Sequence, residues 1–165
     1  PACPEGRLMS TTNTSPTTTP ASTGIDPRGP RFTAAITLVV FAVALLISDA
    51  APTAAVIITG VQAVLFAIGA FAGVQKTPTG LFFRSLVRPR LTPPAHLEDP
   101  APPRFAQAVG LVFAVVATIG FATGAVLLGQ IAAGLAFVAA FLNAVFGFCL
   151  GCELYLLGLR FLRRT

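Results

Sequence analysis

The segment Ile131–Leu159, IAAGLAFVAAFLNAVFGFCLGCELYLLGL, is the longest apolar run in the chain. It carries one carboxylate, Glu153, and no basic residue. Its hydrophobicity is continuous rather than alternating, which describes a helix and not a strand of a membrane barrel. Three shorter runs precede it: Phe32–Ser48, Thr53–Val74 (just after Pro52) and Phe105–Leu128. A helical span takes about 20 residues, and backbone groups in hydrocarbon must bond within their own segment. The fold expected is therefore all-α, with four transmembrane helices over about 32–48, 53–74, 105–128 and 131–159.

Composition excludes the soluble alternatives. The 165 residues are 55% hydrophobic and 10% charged, with a mean hydropathy of +0.81. Soluble domains carry about 25% charged residues, and so short a chain cannot bury this much apolar surface in one small core. Nucleic acid is not an expected partner despite the net charge of +5, because the arginines follow a topological pattern. Arg28 and Arg31 precede the first run, and Lys76, Arg84, Arg88, Arg90 and Arg104 lie between the second and third. Arg160, Arg163 and Arg164 close the chain, while the connections after the first and third runs have no Lys or Arg. Positive charge is retained inside, so both termini and the central loop are expected at the cytoplasmic face of the plasma membrane.

Residues 1–24 form a Thr/Ser/Pro-rich tail expected to be disordered. Translation is expected to start at Met9, leaving residues 1–8 and Cys3 outside the native protein; no signal peptide is visible. Residues 25–165 are then one membrane domain. Its loop, Gln75–Pro103, holds seven prolines and reads as too broken for a folded unit. Within it Arg84 and Arg88 share one helical face beside Leu81, Phe82 and Phe83, which suits a short interfacial helix. Arg84, Arg88 and Arg160 are expected to anchor the protein at anionic lipid, and the lone His96 is not expected to be a ligand.

An internal repeat is legible. Asp26-Pro-Arg-Gly-Pro-Arg-Phe32 recurs as Asp99-Pro-Ala-Pro-Pro-Arg-Phe105, 73 positions later. Further on the spacing becomes 78, pairing Gly69 with Gly147, Gly73 with Gly151 and Gly80 with Gly158. Two tandem helical hairpins, related by a pseudo-two-fold axis along the membrane normal, are the expected result. Cys149, Cys152 and Glu153 then correspond to Phe71, Val74 and Gln75, so thiols and charge belong to the second copy alone.

At about 100° per residue, Ala133, Ala136, Ala140, Ala144, Gly147, Gly151 and Gly158 fall on one stripe of a continuous fourth helix. Gly69 with Gly73, and Gly120 with Gly124, offer similar packing surfaces. Asn143 is expected to make an interhelical hydrogen bond from the same stripe, and Cys149, Cys152 and Glu153 to occupy the opposite side. Twenty-nine helical residues would extend roughly 43 Å, beyond a hydrocarbon layer of about 30 Å, which brings the cysteines to the inner boundary.

Cys149-x-x-Cys152 suits a redox dithiol, persulfide transfer or half of a soft-metal site. Reactivity needs the thiolate, which an apolar helix interior disfavours. A helix break at Gly147–Phe148, or a central-loop arginine folded over the site, would reverse that. Glu153 would serve as a proton acceptor. Two small buried residues filling a helix contact are the structural alternative.

These motifs, with Arg88-Pro-Arg-Leu, Glu98-Asp-Pro-x-Pro-Pro-Arg-Phe and Phe148-Cys-Leu-Gly-Cys-Glu, resemble the actinobacterial membrane proteins grouped as domain of unknown function 4395. The resemblance runs from about Ile25 to Arg164 and implies four spans with cysteines near the end. Some relatives occur beside thioredoxin-like or sulfurtransferase domains, which implies thiol or sulfur traffic at the membrane. The leading expectation is a thiol or sulfur relay in which Cys149, Cys152 and Glu153 meet a cytosolic thioredoxin-like or rhodanese-like protein, with no cofactor. A non-enzymatic transport or scaffold subunit, dimerising through its glycine faces, is the second. Soft-metal handling through Cys149 and Cys152 of a homodimer is the third.

Overall fold

A computed structural model describes residues 24–94 and 97–163. Cys3, Met9, His96 and Arg164 lie outside the described residues. Four helices are long and apolar enough to cross a membrane: α1 (Arg28–Ile47), α2 (Pro52–Phe71), α4 (Ala101–Ala122) and Val126–Phe146. The last comprises α5 (Val126–Phe141) and a wide π-helical turn, Leu142–Phe146. At 1.5 Å per residue each spans about 30–33 Å, the thickness of the hydrocarbon layer. The chain is a multi-pass, all-helical membrane protein.

The helices form a ring in which α1 touches α2 and α5, and α4 touches the same two. Inward positions are small: Ala55, Ala63, Ala114, Ala117, Ala132, Ala133 and Ala136 surround Phe41, Phe66 and Phe121. Outward positions carry the large side chains, among them Leu46, Ile57, Val112 and Leu127. This inversion of a soluble bundle is expected in lipid, where large apolar groups gain nothing by facing inward and helix association depends on close backbone approach. Polar side chains bind helices together from within. Gln62 donates to Thr37 at 3.4 Å, and Thr118 donates to Thr59 at 3.0 Å.

One end of the bundle gathers the segment before α1, the central connection and the C-terminal helix. The connection is more ordered than its prolines suggest. Thr77 accepts a capping bond from the Gly80 N–H at 3.0 Å and opens α3 (Pro78–Phe82). A π turn over Phe83–Val87 and a 3-10 turn over Arg88–Arg90 continue it. Phe82 and Phe83 pack on Phe32 of α1, with ring centroids 6.0 and 5.6 Å apart. Arg84 and Arg88 are exposed on this stretch.

The two Asp-Pro motifs meet. Ile25 and Glu98 exchange both backbone hydrogen bonds at 2.9 Å in an antiparallel bridge. Asp26 accepts from the Arg28 N–H at 3.0 Å, and Asp99 accepts from the Ala101 N–H at 2.9 Å. Arg31 donates to the carbonyls of Ala144 and Val145, and Arg104 to those of Ala70 and Phe71. Each arginine thus covers bare carbonyls at the end of a helix in the other hairpin.

The fourth run departs from the continuous helix expected over 131–159. Gly147 adopts a left-handed conformation, φ 70° and ψ 13°, and accepts the chain's exit from the π turn. Its N–H and that of Phe148 donate back to Asn143 and Leu142 at 3.0 and 3.2 Å. Such a glycine stop is an ordinary way to satisfy terminal carbonyls. A separate helix, α6 (Leu150–Leu162), follows and packs on α4. The span has already used its full thickness by Phe146, so the break falls where the hydrocarbon ends.

Candidate functional site

The break decides the setting of the cysteines. Cys149, with extended backbone (φ −90°, ψ 101°), is the N-cap residue of α6, and Cys152 lies one turn on. Both are free thiols, partly buried, and both lie outside the four spans. The first turn of a helix leaves N–H groups without partners and concentrates positive potential there. Cys149 Sγ closes no full capping bond, but the groups around it favour its thiolate. The Cys152 thiol, donating toward it, has the largest influence, and the N–H groups of Cys152 and Gly151 add to it. Burial and the Glu153 carboxylate oppose them; the balance lowers Cys149 from 9.0 to about 7.

Cys152 moves the other way. Its hydrogen bond to Cys149 holds its proton, and burial, the Cys149 charge and the carboxylates of Glu98 and Glu153 raise its pKa further. The surroundings thus favour the thiolate at Cys149 and the protonated thiol at Cys152. Glu153 is exposed in the first turn of α6. Glu98, which the sequence marks only as the start of a motif 51 positions before Cys149, acts on Cys152 from the bridge segment.

Of the two features expected to favour a thiolate, the break at Gly147–Phe148 is present. The arginine beside it comes from α1 and not from the central loop. A Cβ on Gly147 would lie 3.6 Å from the Arg31 guanidinium carbon.

The glycines and Asn143 separate into distinct roles. Gly69, Gly120 and Gly151 are close-approach points: a Cβ there would stand 2.6 Å from Gln107 Oε1, 2.5 Å from the Gly129 nitrogen and 2.5 Å from Ala106 Cα. Gly73, Gly124 and Gly147 are not packing contacts. They have φ of 103°, 77° and 70° and end helices, the first two with nothing within 4 Å of an added Cβ. A turn requirement and a packing requirement look alike in a G-x-x-x-G spacing. Among the described residues Asn143 makes no side-chain hydrogen bond to another helix. Its side chain instead lines a cavity of about 320 Å3 between α1, α4, α5 and α6, which Cys149 also borders. Arg160 is exposed near the end of α6. Phe105 and Tyr155, 5.7 Å apart, help hold that helix to α4.

No group of three or more His, Cys, Asp or Glu residues able to hold a metal comes together among the described residues. Cys149, Cys152 and Glu153 alone would leave such a site to be completed by a second copy.

A four-span bundle with two free thiols at the start of a short C-terminal helix is the class these features define. The chain belongs to the family described as Domain of unknown function (DUF4395), which matches residues 25–160. No curated protein and no solved structure matches it.

Proposed function

We propose that the protein is a membrane-embedded thiol relay of the plasma membrane, with Cys149 as the exchanging thiolate and Cys152 as the resolving thiol. The observation that carries this reading is the position of Cys149 at the head of α6, partly buried, with a second free thiol, Cys152, one turn on. Cys149 attacks a disulfide or persulfide sulfur on a cytosolic thioredoxin-like or rhodanese-like partner. The Cys152 thiolate, its proton passed to water or Glu153, then attacks Cys149 and releases the partner's sulfur. The basic residues gathered around the same end of the bundle support a cytoplasmic orientation for it.

The internal repeat belongs to this reading. Matched contacts support it: the Ile25–Glu98 bridge, the paired Asp caps, and the reciprocal reach of Arg31 and Arg104. Phe32 on α3 and Phe105 on α6 make a further pair. These contacts shift the register from the 78-residue spacing that pairs Gly69 with Gly147, Gly73 with Gly151 and Phe71 with Cys149. Gly73 corresponds instead to Gly147 as a helix stop, and Thr77, the cap of α3, to Cys149 at α6.

Trapping tests the relay. A Cys152→Ser variant in native membranes should accumulate a mixed disulfide through Cys149 with a soluble thioredoxin-like or rhodanese-like protein, and Cys149→Ser should not. Equal absence of an adduct from both variants would reject the relay.

A further inference from the structure

We propose that the cavity bordered by Cys149 binds a lipid-soluble quinone, which accepts the two electrons released when Cys149 and Cys152 form a disulfide. The proposal rests on the dithiol reading above and adds an oxidant to it. With the quinone, the exchange with the partner runs in reverse: a partner thiolate attacks Cys149 of the Cys149–Cys152 disulfide, and a second partner thiol closes the partner's own disulfide, which returns Cys149 and Cys152 to the reduced state.

The cavity holds about 320 Å3. That is far more than a packing defect and at the lower end of ligand pockets, which run from about 300 Å3 upward. An apolar void of about 150 Å3 already takes up benzene, so twice that volume admits a one- or two-ring head with the first part of its tail. The space exists because small residues, Ala34, Gly110, Ala136 and Ala140 among them, line it where four helices converge. Phe66 and Phe113 supply flat apolar walls. Among the described residues no charged side chain lines it, so an ionic ligand would enter undersupplied with partners.

Asn143 and Gln107 border it, Gln107 with its amide packed against Gly69 of α2. Asn143 has no side-chain hydrogen bond among the described residues and can donate N–H to a ring carbonyl oxygen. Cys149 completes the fit. It borders the cavity on one side and belongs to the partly exposed head of α6 on the other, so one sulfur serves both an acceptor from the lipid phase and a partner from water.

The step balances. Cys149 as thiolate and Cys152 as thiol lose two electrons; the Cys152 S–H bond breaks and the S–S bond forms. The quinone takes the electron pair, the Cys152 proton and one further proton from water, and leaves as hydroquinone.

The test uses the reduced full chain in nanodiscs and decylubiquinone, whose substituted ring resists direct arylation of thiols. One hydroquinone should appear per Cys149–Cys152 disulfide. Ala139→Phe, which fills the cavity, and the milder Ala139→Leu and Asn143→Leu should slow that reaction. At least one should slow it about tenfold, equivalent to about 1.4 kcal/mol of binding. Oxidation by water-soluble diamide should remain within about twofold of the parent in a variant whose site is otherwise intact. Diamide forming the disulfide while decylubiquinone does not would overturn the quinone and leave the dithiol. Equal quinone rates in all three folded variants would overturn the site. Failure of both oxidants to join the sulfurs would overturn the dithiol reading itself.

Discussion

Replacing Cys152 with alanine tests the chemistry at the head of α6. The Cys152 thiol is the largest influence lowering Cys149 from 9.0 to about 7. At pH 7 a thiol of pKa about 7 is about half ionised, against about 1% for one at 9, a gain of about 50-fold in thiolate. Lower basicity returns about 6- to 10-fold of that in weaker nucleophilicity, leaving exchange about five- to eightfold faster than at an ordinary thiol. In Cys152→Ala the donor is gone and burial still acts, so the Cys149 pKa should rise by about one unit or more, with about fivefold less thiolate at pH 7. Cys152→Ser keeps a hydroxyl donor and should stay closer to the parent. The assay is iodoacetamide labelling of nanodisc-embedded protein, in a Cys3→Ser background, followed by mass across about pH 5.5 to 10. The sign is fixed: reactivity appears as pH rises through the folded-state pKa. A midpoint near 9 in the parent, or no difference between parent and Cys152→Ala, would refute the reasoning.

Other consequences follow from the backbone and packing. Gly147→Ala puts a Cβ on a residue at φ 70°, a strain of about 1–2 kcal/mol, and favours a continuous helix through Cys149. The Cys149 labelling midpoint should therefore move upward while the thermal midpoint falls. Gly151→Leu cannot keep its contact with Ala106 and should release α6 from α4, seen as faster amide exchange in α6 with the spans still protected. A reporter fused at Thr165 should be active only as a cytoplasmic fusion, and external activity would invert the topology.

Hydropathy made the four spans legible, because continuous apolar runs of this length have one solution in lipid. The fourth was misjudged in extent, since Leu142–Leu159 is apolar on both sides of the break. Only Gly147 marks it, and a glycine in a membrane helix reads equally well as a packing residue. The same ambiguity concealed Gly73 and Gly124 as helix stops. Cys149 and Cys152 stood out from their spacing, but the setting that distinguishes them did not. Arg31, Glu98 and Asn143 come to this end of the bundle from distant positions, and the cavity arises from small residues on several helices.

The state of the two sulfurs in protein taken from its native membrane is the most direct measurement. Blocking free thiols at lysis, then reducing and labelling with a heavy reagent before mass spectrometry, reads each cysteine separately. A relay predicts that Cys149 and Cys152 are partly protected together as a disulfide or persulfide, and that the protected fraction rises with diamide and falls with reductant. Two thiols labelled fully at lysis, and unchanged by either treatment, would contradict it.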